Sequence, residues 1–82
     1  MPTITDWRLC RVFAEENVSL LGYISGHPSP SVGDMGRESL TSQVIGRRGQ
    51  YVVTQSGTEY DLLKPHPSEM DNLTFLNTLP EV

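Results

Sequence analysis

Residues 26–36, G-H-P-S-P-S-V-G-D-M-G, limit this chain more than any other stretch. Five of the eleven are glycine or proline. Proline lacks the amide that a helix or an interior strand needs, and glycine loses the most freedom when held in a regular conformation. No regular element can cross this segment, and three more breaks follow: Gly46-Arg47-Arg48-Gly49, Ser56-Gly57 and Lys64-Pro65-His66-Pro67. The spaces between them suit strands better than helices, so the chain is expected to be mostly β.

Residues 3–14 place Trp7, Leu9 and Phe13 on one parity and Cys10 and Val12 on the other. This predicts a strand with one apolar face and a bulge near Leu9-Cys10. After a turn at residues 15–17, residues 18–25 predict a second strand, in which Gly22 marks a bend or a close backbone approach. Residues 39–45 and 51–55 predict strands three and four, joined at Gly46–Gly49 by a tight hairpin. In residues 58–63, Tyr60 and Leu62 alternate with Glu59 and Asp61, as in a half-buried fifth strand. Five short strands predict a small, strongly bent antiparallel sheet or SH3-like barrel, because an open flat sheet would leave one apolar face wet.

Residues 1–65 form the expected β domain and residues 66–82 an acidic tail. The tail is either extended or a short helix over residues 68–79, capped by Ser68, with Met70, Leu73 and Leu76 or Asn77 facing inward and Pro80 ending it. It has two alternative roles: packing on its own sheet, or docking into a partner or a second copy. Eighty-two residues bury a thin core, so self-association or a partner would add stability.

Net charge is −4, and residues 59–82 supply it. Residues 1–58 balance five acids with five arginines; residues 59–82 set five acids against Lys64 alone. Such a chain is a poor fit to phosphate backbones. Cys10 is the single cysteine, which excludes an intrachain disulfide. The first residues lack the basic and apolar regions of a signal peptide, and no apolar run reaches membrane-spanning length. A cytoplasmic location is therefore expected, and the sequons at Asn17 and Asn72 are read as coincidental.

Leu21-Gly22-Tyr23-Ile24-Ser25-Gly26-His27-Pro28, then Thr41-Ser42, then Thr54-Gln55-Ser56-Gly57-Thr58-Glu59-Tyr60-Asp61-Leu62 form a pattern G-H-P … T-S … T-x-S-G-x-x-Y-x-L. It resembles a group of short uncharacterised proteins from proteobacterial and phage genomes. The resemblance covers roughly residues 7–63. It implies one continuous domain in a bacterial or phage cytoplasm, and it brings no catalytic residue.

The remaining motifs each have a plain reading. His27-Pro28 is a loop entrance or a binding histidine. His27, His66, Cys10 and scattered acids lack metal-ligand spacing, so neither metal nor cofactor is expected. Thr41-Ser42 and Thr54-x-Ser56 carry hydroxyls, but a nucleophile needs a positioned base and an oxyanion hole, so they read as turn caps. Gly33-Asp34-Met35-Gly36 matches an RNA-binding G-x-x-G loop only weakly, since Asp34 would repel phosphate. The expected function is that of a non-enzymatic protein-interaction module, a phage or prophage accessory factor binding a host protein. Its contacts would be His27, Ser29, Val32, Asp34 and Met35 in the loop and Arg47 and Arg48 at the hairpin. The alternative is a small nucleic-acid-binding barrel using Arg37, Arg47, Arg48 and Tyr51.

Overall fold

In the computed structural model, which describes residues 2–11, 16–27 and 38–82, six strands and one short helix form. They are β1 (Thr3–Cys10), β2 (Ser19–Ser25), β3 (Ser39–Leu40), β4 (Val44–Arg48), β5 (Tyr51–Thr54), β6 (Glu59–Leu62) and α1 (Asn72–Asn77). The spatial order is β3-β2-β1-β6-β5-β4. Two antiparallel meanders, β1-β2-β3 and β4-β5-β6, are joined by a parallel pairing of β1 with β6. The chain is thus mostly β, in a mixed, open six-stranded sheet.

Two details depart from the expected five antiparallel strands. The segment read as one strand over residues 39–45 splits into β3 and β4. At the break, the buried Thr41 hydroxyl accepts a hydrogen bond from Leu20 N at 2.9 Å and donates to Ser42 O at 2.8 Å. It thereby takes the place of regular ladder bonds. The parallel pair arises because β6 reaches the free edge of β1 running in the same direction. No ladder joins the edge strands β3 and β4, yet only residues 41–43 separate them. Thr41 N donates to Leu20 O and Val44 N to Val18 O, both at 2.8 Å, so the sheet rolls toward its own edge.

The bulge in β1 also lies elsewhere than expected. Thr5 pairs with Tyr23 and Arg8 with Leu21, so Asp6 and Trp7 together oppose Gly22 alone. Asp6 takes φ 56°, a left-handed conformation that aspartate tolerates better than most residues. The extra residue flips the parity, so Ile4 before it and Trp7 after it both reach the interior and are fully buried. Gly22 makes room for this. A Cβ there would lie 2.8 Å from Thr5 O and 3.0 Å from the Trp7 Cα. Val12 and Phe13, expected to extend this strand, lie outside the described residues.

The core combines Ile4, Trp7, Leu20, Ile24, Val52 and Leu62 from the sheet with Phe75 from α1. The helix is shorter than expected and is capped by Asp71, not Ser68. Ser68 is already engaged: its N–H donates to His66 Nδ1 at 3.2 Å and its hydroxyl lies 2.7 Å from the same nitrogen. Asp71 accepts from Thr74 N at 2.7 Å instead. The helix buries Phe75 and leaves Leu73, expected inward, exposed, while Met70, Leu76 and Leu79 pack against the core. The Phe75 and Trp7 rings meet at 5.2 Å. Asn72 fixes the contact: its Oδ1 accepts from Trp7 Nε1 at 3.0 Å, and its Nδ2 donates to Leu62 O and Leu63 O. Residues 69–82 therefore lie against their own sheet.

Candidate interaction site

β2 carries apolar side chains on both faces. Leu20 and Ile24 point into the core, and the alternation turns Leu21 and Tyr23 outward. Cross-strand pairing puts Arg8, Leu21 and Leu40 in one row on that outer face, with Tyr23 one step along β2. Tyr23 is 37% exposed and Leu40 48%. Arg8 closes the row by donating to Glu38 Oε2 at 2.9 Å. β2 leads into the glycine- and proline-rich segment and β3 leads out of it, so this apolar strip lies at its roots. The sequence did hold a signal for the strip, because Leu20, Leu21, Tyr23 and Ile24 leave neither parity polar.

Of the loop residues expected to make contacts, Ser29, Val32, Asp34 and Met35 lie outside the described residues, as does Arg37. His27 is described and half-buried. Its ring stacks on Tyr60 at 6.1 Å and 29°. Tyr60 is itself buried, and that desolvation raises its phenol pKa above the ordinary value.

Arg47 and Arg48 lie on β4, at the other end of the strand order from β3. Both are engaged within the chain. Arg47 Nη1 lies 2.8 Å from Glu81 Oε2 and donates to Gly49 O. Arg48 faces Glu59 at 3.5 Å and donates through Nε to Val82 O at 3.4 Å. The Tyr51 hydroxyl accepts from Gln50 Nε2.

The hydroxyls form a separate cluster. Ser42 Oγ donates to Ser56 Oγ at 3.2 Å, and Ser56 Oγ lies 3.1 Å from Thr54 Oγ1 and 3.2 Å from Thr58 Oγ1. Thr54 Oγ1 also donates to Thr58 O. These bonds tie residues 42 and 54–58 together around a turn where Gly57 takes φ 89°. Neither a histidine nor a carboxylate takes part in them, so they supply no base to activate an oxygen. Among the described residues no group of three histidines, cysteines or acids could hold a metal, and no helix is long and apolar enough to cross a membrane. A groove of about 250 Å³ is lined by Gln50, Asp61 and Leu62 together with Asn72, Leu73 and Leu76 of α1.

No protein-family model matches the chain, and no curated protein or solved structure matches it either.

Proposed function

We propose that this chain is a non-enzymatic protein-interaction module acting in the cytoplasm, of the kind a phage or prophage uses to occupy a host protein. One observation carries the reading: Tyr23 and Leu40 stand exposed on one outer face, on the two strands that flank residues 26–38. An aromatic and an aliphatic side chain beside a Gly/Pro-rich connection are what a partner's apolar surface would bury. The contact set is then Tyr23 and Leu40 with His27, Ser29, Val32, Asp34 and Met35. The nucleic-acid alternative has less support, because Arg47 and Arg48 already face Glu81 and Glu59. The finer fold reading, an SH3-like barrel, belongs with this proposal. The rolling of the sheet at residues 41–44 favours it, and the parallel β1–β6 pair counts against it.

The test is capture of a host protein by three forms of the chain: wild type, a variant with residues 27–35 replaced by a Gly/Ser linker, and Tyr23→Ser/Leu40→Ser. Neither side chain belongs to the buried core, so each change should leave the chain folded at a cost of about 1 kcal/mol. Capture by wild type and its loss in both variants is expected. Equal capture by all three would remove this face from consideration. Binding of single-stranded oligonucleotides that weakens steeply with salt would favour the alternative.

A further inference from the structure

We infer that the β4 edge is a groove for an extended acidic segment of a partner protein, and that residues 79–82 of this chain occupy it in cis. The inference rests on the protein-interaction reading but uses the opposite edge of the sheet. Capture through Tyr23 and Leu40 can therefore fail while this site stands.

The contact has the hydrogen-bond pattern of strand addition. Arg47 N donates to Pro80 O and Val82 N donates to Arg47 O, each at 2.9 Å, a parallel bridge between Arg47 and Glu81. Above it, both oxygens of one carboxylate are held. Glu81 Oε1 accepts from Gly49 N at 3.0 Å and Oε2 from Arg47 Nη1 at 2.8 Å. A backbone amide and a guanidinium converging on one carboxylate select glutamate over its neutral amide. Gly46 supplies the floor. A Cβ there would lie 2.6 Å from Pro80 O and 2.7 Å from the Val82 Cγ1, and its three nearest neighbours all belong to this segment. Proline fits at position 80, because it has no amide to continue the ladder and so ends the bridge there.

The occupant is held loosely. Glu81 is more than half exposed, and an ion pair in that setting contributes little. The cis segment also leaves Arg47 Nε buried without a hydrogen-bond partner among the described residues, so it does not satisfy every donor the groove offers. A second copy of the chain is a poor source for a replacement. Only Leu79 and Pro80 separate the helix cap Thr78 from Glu81, a reach of roughly 10 Å. With α1 docked by Phe75, that tether is too short to cross to another molecule. A partner presenting an apolar-Pro-Glu-apolar segment has no such restriction.

The probe is an N-acetylated peptide, Thr-Leu-Pro-Glu-Val, titrated against the full chain with the amide resonances of Arg47 and Gly49 as reporters. In Glu81→Ala the cis segment is weakened. The peptide should shift both resonances to saturation, about threefold more tightly than it does in wild type, where the cis segment competes. A peptide with Gln in place of Glu should bind about threefold more weakly than the Glu form. Gly46→Ala, whose added methyl meets Pro80 and Val82 first, should keep the fold and refuse the peptide. The inference is overturned if wild type and Glu81→Ala respond alike, if the Gln peptide binds as well as the Glu peptide, or if Gly46→Ala still binds. It is overturned equally if Glu81→Ala self-associates at its β4 edge, since the occupant would then be a second copy.

Discussion

Trp7 gathers contacts from parts of the chain far apart in sequence. Its backbone oxygen accepts from His66 N, its ring packs on Phe75, and its indole N–H donates to Asn72. Its burial was legible in the alternation with Leu9. The bulge that aims it was not, because a bulge depends on one residue taking positive φ, and apolar periodicity carries no trace of that. The hints were Asp6, which tolerates such a conformation, and Gly22, the one residue small enough to sit opposite it. Asn72 had no signal at all, since a helix's first residue shows nothing of the carbonyls it will meet. It nevertheless satisfies the buried indole and two carbonyls at once. Asn72→Ala should therefore destabilise the chain by about 1–3 kcal/mol in urea unfolding, the cost of leaving such groups unpaired. A change below about 0.5 kcal/mol, typical of plain surface positions, would mean that water replaces the amide without loss.

At the scale of elements, strand content could be read because β-branched and aromatic residues fall in short runs between turn residues. The helix was found but misplaced, since Ser68 and Asp71 are both acceptable caps and the choice rests on the local bonds that Ser68 makes to the His66 ring. The cap in use gives α1 a pH dependence of known sign. The backbone N–H of Thr74 donates to the Asp71 carboxylate and holds its pKa below the ordinary aspartate value. A depressed folded pKa means the cap contributes fully above the unfolded value and is lost as pH falls through the folded one. The Thr74 amide resonance should move toward its unfolded position in acid, below the usual aspartate range. Asp71→Asn keeps a capping oxygen that does not titrate, so the same amide should then hold its position as the pH falls. An unchanged titration in that variant would place the proton elsewhere.

For the whole molecule, the seam between the two meanders decides cooperativity. It is laced by Asp61 N to Pro2 O, Leu63 N to Ile4 O, Asp6 N to Lys64 O and His66 N to Trp7 O. Each bond joins residues more than fifty positions apart, which is why no local pattern announced the parallel pair. Breaking any of them requires β1 to leave β6, and that opens the core around Ile4 and Trp7. The groove on β4 is different. Its bridge ends in an exposed segment, and releasing residues 79–82 disturbs only Leu79 at the margin of the core. Hydrogen exchange should therefore fall into two classes. The amides of Leu63 and His66 should exchange only through global unfolding, with a urea dependence equal to that of the unfolding transition. The amides of Arg47 and Val82 should exchange sooner and with little dependence on urea, because their opening exposes little surface. If Leu63 exchanged as fast as Val82, the seam would be no stronger than the tail contact, and the two meanders would open independently.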